Sequence, residues 1–409
     1  MQPDIQELKN TLSLEYMCPN CYGEGMEIFH ETKNFPIHTV LNMTTREKAV
    51  HYPCGDIVLG FCPSCGFISN VAFDASLLEY SPECEESQGF SPTFNEFARR
   101  SAQQLIEKYD LRHKTIIEIG CGKGDFLTLL CELGQNQGIG FDPAYVPGRD
   151  QHQQNYDIKF IQDFYSEKYA CYHGDVVCCR MTLEHIYNTA DFVNMVRRSI
   201  GNQTDTLVFF QVPDVTRILH DCAFEDIYYE HCSYFSPGSL GRLFRTCGFS
   251  ILDLRTDYDE QYLILEARPA FKDVQPLPFP LEEDVKTVEN SIRDFQRAYR
   301  TTMEYWRRQM QHIKTQGKRA VVWGSGSKGV AFLTKLNISD EIEYVVDINP
   351  YRQGTYMAGT GQRIVAPEFL QVHRPDVVII MNPIYRREIQ QELFQLGLTP
   401  EVLVPGKEL

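Results

Sequence analysis

One pattern occurs twice in this chain, and it limits the possible folds more than any other feature. From Thr115 the sequence reads TIIEIGCGKGDFLTLLCELGQNQGIGFDP, and from Lys318 it reads KRAVVWGSGSKGVAFL, followed shortly by IEYVVDINP. In each case an apolar strand runs into closely spaced glycines, then a helix with an apolar stripe, then a second strand that ends on an aspartate, Asp142 or Asp347. A strand, a glycine turn and a helix in that order build a parallel α/β unit. The glycines let the backbone bend sharply and approach a ligand at the free N–H groups of the helix. Two such units in 409 residues predict an α/β protein of more than one domain, because one hydrophobic core does not grow to that size.

Charge and hydropathy remove several classes of function. Lys and Arg number 39 against 55 Asp and Glu, a formal charge of −16 with no basic cluster, which argues against a nucleic-acid partner held through phosphates. The longest apolar runs, such as DVVIIM, are strand-sized, so no membrane span is expected. The opening MQPDIQELKNTLSLEY lacks the basic and apolar regions of an export signal, and a cytoplasmic protein is expected.

Fourteen cysteines without an export signal do not read as a disulfide framework. Cys178, Cys179 and Cys247 lie in apolar runs, as buried thiols do. Cys18-x-x-Cys21 and Cys62-x-x-Cys65 are different: two thiolate pairs, with Pro19 and Pro63 after the first cysteine of each, suit one tetrahedral zinc. Cys54 lies between the pairs but has no partner at the required spacing. A four-thiolate site is closed, so this zinc would be structural and would let a small module fold as a wall or lid over a site.

The first glycine unit, Glu118-x-Gly120-x-Gly122-x-Gly124 followed by Asp142, resembles motif I of class I S-adenosylmethionine methyltransferases. The resemblance implies that Glu118, Gly120, Gly122 and Gly124 line the methionine end of the cofactor and that Asp142 holds its ribose. Asp163 and Phe164, in FIQDFYSE, would then meet the adenine, and DVVCCRMTLEHI would supply the fourth strand and a Leu-Glu-His turn.

Further on, Tyr228, Tyr229, Glu230, His231, Tyr234 and Phe235 crowd into eight positions. Phenols, a carboxylate and an imidazole are costly to bury for packing alone, and histidine has the side-chain pKa best suited to moving protons near neutrality. With the zinc module before it and the second glycine unit after it, the whole chain resembles the nucleotide-sugar C-methyltransferases, which methylate 4-keto deoxysugars carried on a nucleoside diphosphate. That resemblance implies His231 as the base, Tyr228 and Glu230 as its hydrogen-bonding companions, His185 as a further active-site histidine and Tyr80 as a substrate contact. The chain departs from the family pattern at Cys121, Lys123 and Met181, and in the acidic Glu83, Glu85 and Glu86 after Tyr80.

Past the Pro-rich VQPLPFPLEED, which reads as a linker, an amphipathic helix is expected from about Leu281 to Gln316. The last ninety or so residues carry Gly324-x-Gly326-x-x-Gly329 and one further clear strand, DVVIIM, too little for a complete dinucleotide fold. In the resembled family this domain is a degenerate Rossmann-like unit that helps enclose the sugar nucleotide. The organisation expected is therefore a zinc module over 1–85, a class I methyltransferase domain over 86–270, and a linker helix with the Rossmann-like domain over 271–409. The rival activities are O- or N-methylation of another small molecule and NAD(P)-dependent oxidoreduction at the second glycine unit; the non-enzymatic rival is an interaction protein built on a vestigial scaffold.

Overall fold

The computed structural model describes residues 16–149, 155–270 and 278–406. The opening segment and the first part of the Pro-rich stretch lie outside the described residues. Three sheets organise the chain. The first is antiparallel: β1 (Glu27–Pro36) pairs with β2 (Cys54–Phe61) and β2 with β3 (Ile68–Asn70). The hairpin-like order suits these short alternating segments, whose inward residues Phe35, Ile57, Leu59 and Ile68 are fully or almost fully buried.

The second sheet has seven strands. Its parallel centre is β4 (Thr115–Ile119), β5 (Gln137–Phe141), β6 (Ile158–Ile161), β7 (Val176–Arg180) and β8 (Leu207–Pro213). After β8, the two-residue β9 (Ser233–Tyr234) leaves this sheet and pairs with β3, so the histidine-rich stretch stitches the second unit to the first. The chain then returns as β10 (Phe249–Asp257) and β11 (Tyr262–Pro269). The order is β10-β11-β8-β7-β4-β5-β6, with β11 antiparallel to both its neighbours. That is the class I methyltransferase fold. The strand order reverses between β4 and β7, which opens a crevice at their carboxyl ends. VVCC in β7 is buried throughout because a central parallel strand is covered on both faces.

The third sheet is parallel and has five strands, not the three readable in the sequence. β12 (Ala320–Trp323) and β13 (Ile342–Val346) flank the glycine turn, β14 (Arg363–Val365) follows, and β15 (Val377–Ile380) and β16 (Glu401–Leu403) complete the order β14-β13-β12-β15-β16. β14 and β16 are three residues each, too short for any periodicity; pairing with β13 and β15 makes them strands.

The helix Val285–Thr315 joins the sheets. Asp284 caps it by accepting from the Thr287 N–H at 2.7 Å, and its apolar stripe of Val288, Ile292, Phe295, Met303, Trp306, Met310 and Ile313 is buried. That stripe belongs to one core with Phe35 and Ile57 of the first sheet and Val322 and Val330 of the third unit. No described helix is long and apolar enough to cross a membrane.

Candidate active site

The glycine turn after β4 sits on the crevice. Gly120 and Gly122 have φ of 69° and 55°, in the left-handed region where a Cβ is penalised. A Cβ on Gly120 would lie 2.1 Å from the Thr182 hydroxyl oxygen, so only glycine fits where the loop packs against Thr182. Asp142, at the end of β5, accepts from the Gly122 N–H at 2.9 Å and the Ala144 N–H at 2.7 Å. Glu118 is buried at the end of β4; burial pushes its carboxyl up to about 8, and its Oε2 has no hydrogen-bond partner. An unsatisfied buried acceptor beside the glycine loop is costly unless a ligand supplies donors. These groups fit the amino-acid end and ribose of S-adenosylmethionine. Asp163, whose N–H shares the Ile161 carbonyl with that of Asp142, is partly exposed, paired with Lys168, and accepts from the Tyr169 hydroxyl at 2.5 Å. The Phe164 ring is 60% exposed and meets the Tyr80 ring edge-on at 6.1 Å.

Tyr80 leads from there to the histidines. Its hydroxyl lies 3.3 Å from His185 Nδ1, and the His185 and His231 rings meet edge-on with centroids 4.9 Å apart. Tyr228 stacks at a tilt on His231, three residues on, and its hydroxyl lies 2.7 Å from Nε2. His185 ends the short turn Leu183–His185 that follows β7, and its N–H bonds to the Thr182 carbonyl at 3.0 Å. Thr182 in turn reaches the Gly120 carbonyl at 3.4 Å, so the histidine cluster adjoins the glycine loop.

Burial lowers the pKa of both histidines; in His231 the neighbouring His185 lowers it further. Both are neutral imidazoles at physiological pH, able to accept a proton. Burial raises Tyr228 and Tyr80 well above the usual phenol range, so both keep their protons and can donate. Glu230 is adjacent in sequence but serves differently. His38 Nδ1 lies 3.1 Å from one carboxylate oxygen, and the other takes the Thr39 N–H at 2.9 Å and the Thr39 hydroxyl. It anchors the first sheet to the site instead of touching His231.

Four further groups bear on the site in ways the sequence reading did not assign. Glu184 is buried with Oε2 unpartnered and lies with a nitrogen of His185 and of His231 within 4.8 Å of one another. Met181 takes a left-handed φ of 50° just past β7, a strained conformation for an unbranched side chain. Arg180 is buried over the Phe126 ring at 3.7 Å, where its charge acts on Glu118. Lys328, from the second glycine turn, reaches Asp226 at 2.7 Å and acts electrostatically on His231. Their neighbours could not be read from sequence; the turn after Phe224, the end of β7 and the third sheet bring them together.

The two cysteine pairs converge as their spacing predicts. The Cys18 and Cys65 sulfurs are 3.7 Å apart and those of Cys21 and Cys62 are 3.6 Å apart. Four sulfurs each about 2.3 Å from one tetrahedral ion lie about 3.8 Å from one another. The donor set fits zinc, and exposed Cys54 is not part of it. The knuckle packs on the second sheet: the Pro19 carbonyl accepts from Ala190 N–H at 3.1 Å, and Arg242 Nε donates to the Cys65 carbonyl at 3.0 Å.

In the second glycine turn, Asp347 accepts from the Ser325 N–H at 2.9 Å, the Ser325 hydroxyl at 2.5 Å and the Asn349 N–H at 2.8 Å. Asp347 is thus held by its own loop, as Asp142 is in the first glycine turn. Buried Arg352 fills the space beside it, bonded to Ser325 and to the carbonyls of Glu85 and Thr39.

Residues 94–254 match the family described as a methyltransferase domain, and residues 280–397 match a C-methyltransferase C-terminal domain. The C-methyltransferase NovU of Streptomyces niveus is 28% identical over 287 residues, which is 67% of this chain and 67% of that protein. Among solved structures, the Burkholderia thailandensis 1,6-didemethyltoxoflavin-N1-methyltransferase is 15% identical over 44% of this chain and 80% of its own, with a TM-score of 0.35. The magnesium protoporphyrin IX methyltransferase of Synechocystis PCC 6803 is also 15% identical, over 44% and 84%, with a TM-score of 0.35.

Proposed function

We propose that the chain, whose segments match a methyltransferase domain and a C-methyltransferase C-terminal domain, is an S-adenosylmethionine-dependent C-methyltransferase that methylates the carbon beside a ketone, on a nucleotide-linked 4-keto-deoxysugar, with His231 as the base. The observation that carries this reading is the pair of facing imidazoles, each with a tyrosine hydroxyl, one short turn away from the glycine loop. On this reading Glu118, Gly120, Gly122, Gly124 and Asp142 hold the cofactor, with Asp163 and Phe164 at its adenine end. S-adenosylmethionine supplies an electrophilic methyl group when bound.

A carbon nucleophile must be generated by removing a proton; His231 is held neutral by burial, and with Nε2–H donating to the Tyr228 oxygen its Nδ1 lone pair is left to accept that proton while the phenol keeps its own O–H for the ketone. The negative charge that develops on the ketone oxygen needs fixed donors. The Tyr80 hydroxyl beside His185 and the Tyr228 hydroxyl beside His231 are protonated and held by those rings. Such a base contributes roughly a hundredfold to ten-thousandfold, and fixed geometry supplies much of the rest. The zinc that we assign to Cys18, Cys21, Cys62 and Cys65 has a structural role: it fixes the module over 1–85, whose His38 and Thr39 grip Glu230 next to the base.

The test is incubation with methyl-labelled cofactor and a panel of nucleotide-linked 4-keto-6-deoxysugars in deuterated water, read by mass spectrometry. Label on carbon and deuterium at the position beside the ketone are expected, both lost in His231→Ala while S-adenosylhomocysteine still binds. Transfer without any deuterium entering carbon would replace the enolate reading with methylation of oxygen or nitrogen. Full exchange in His231→Ala would move the base to another residue, with His185 next in line.

A further inference from the structure

The acidic strap between Tyr80 and the helix that begins at Pro92 has no part in the chemistry above, yet the protein pins it at nearly every residue. Cys84 forms a backbone bridge with Leu41, and the Glu85 N–H donates to the Val40 carbonyl at 2.9 Å. The Glu85 carboxylate takes both arms of Arg149, at 2.5 and 2.8 Å, and the Asn349 amide at 2.8 Å. Ser87 donates to Asp125, the first residue of the helix after the glycine turn, at 3.1 Å. Lys123, inside the turn itself, donates to the Cys84 carbonyl at 2.8 Å and the Ala144 carbonyl at 2.7 Å. The strap is therefore tied across the glycine loop by groups from several parts of the fold.

These ties place Glu86 against the loop. Its Oε1 lies 3.1 Å from where a Cβ on Gly122 would stand, and 3.5 Å from Lys123 Nζ. Its side chain is 38% accessible, while Glu85, its neighbour, is spent on Arg149 and Asn349. The other acids of the cleft are less free to meet a cation: both oxygens of Asp142 hold backbone N–H groups, and Glu118 is fully buried. S-adenosylmethionine carries an ammonium, a sulfonium and one carboxylate, a net positive charge.

We propose that Glu86 is a cofactor-binding side chain, a carboxylate hung over Gly122 by the strap to pair with a cationic group of S-adenosylmethionine. The inference depends on the cofactor reading given above. Protein crowding around the carboxyl raises it to about 7, opposed by Lys123, so the group is ionised at pH 8.

The test is titration calorimetry of the full chain at pH 8 with S-adenosylmethionine and with S-adenosylhomocysteine, which keeps the ammonium but lacks the sulfonium. Glu86→Gln is compared with wild type, with Glu86→Asp as the charge-retaining variant and with Glu83→Gln, on the same strap, as the control. A lost charge-assisted contact predicts a roughly tenfold weaker dissociation constant in Glu86→Gln, partial recovery in Glu86→Asp and none of this in Glu83→Gln. A loss with both ligands assigns Glu86 to the ammonium, and a loss with S-adenosylmethionine alone assigns it to the sulfonium. Wild-type affinity in a Glu86→Gln protein with an unchanged melting temperature overturns the proposal. A wild-type protein that binds neither ligand overturns the cofactor reading instead.

Discussion

Replacing Asp226 by Asn tests how the third unit is held against the histidine cluster. Asp226 lies in the turn after Phe224 and receives Lys328 Nζ at 2.7 Å and the Arg217 guanidinium. Burial alone would raise its carboxyl; Lys328 and Arg217 overcome this and hold it at about 2, against an ordinary 3.8. The same two cations leave the adjacent Glu225 largely uncompensated, and burial with Asp226 beside it raises that carboxyl to about 7. That depression corresponds to an interaction on the order of 2 kcal/mol. Breaking a buried pair by removing one partner costs about 3–5 kcal/mol, and ionisation of Glu225 in the variant returns part of that. The expected loss is about 2–3 kcal/mol at pH 7. Both tryptophans, Trp306 and Trp323, lie in or beside the third unit, so urea unfolding followed by their fluorescence reports on the part that Lys328 belongs to. A carboxyl with a depressed folded pKa gives stability that is present above its unfolded value and lost as pH falls through the folded one. The gap between wild type and Asp226→Asn should therefore hold from pH 7 to about 4 and close towards pH 2. In combination with Lys328→Met the two losses should fall short of additive, because each removes the same interaction. Unchanged urea midpoints, or strictly additive losses, would refute this account.

Gly120→Ala places a methyl 2.1 Å from the Thr182 hydroxyl at a φ of 69°, and should weaken S-adenosylhomocysteine binding at least a hundredfold by calorimetry, with a lowered melting temperature. Glu184 is raised to about 8 by burial, so its ionisation costs stability as pH climbs from the unfolded value near 4.5. Glu184→Gln should remove that loss, leaving the variant more stable than wild type by up to a few kcal/mol at pH 8 and indistinguishable at pH 4 in thermal melts. Metal analysis should find one zinc per chain, and Cys62→Ser should abolish it and lower the melting temperature by several degrees. Zinc retained at full stoichiometry in Cys62→Ser would exclude the four-thiolate site.

The parts of this protein that are local in chain were legible from residues alone. The glycine turn after Ile119 and the long helix after Asp284 each carry their signals within a few positions: closely spaced glycines and a repeating apolar stripe. The cysteine pairs were equally plain, because ligand spacing is a property of the turn that bears them. The short strands β14 and β16 were not, since three residues have no period and become strands only by pairing with β13 and β15.

The site divides along the same line. Sequence determined which chemical groups are present, with His231 and Tyr228 one helical turn's spacing apart, and it determined the order of the units along the chain. It could not determine what each group faces. Glu230 stands next to His231 in sequence but spends its carboxylate on His38 and Thr39, about 190 residues earlier, while Glu184 reaches His231 from about 47 residues earlier and Lys328 acts on it from about 97 residues later. Contacts of that kind depend on how the three sheets and their connecting turns pack together. The protonation of the whole cluster follows from that packing, because only burial sets the cost of charge.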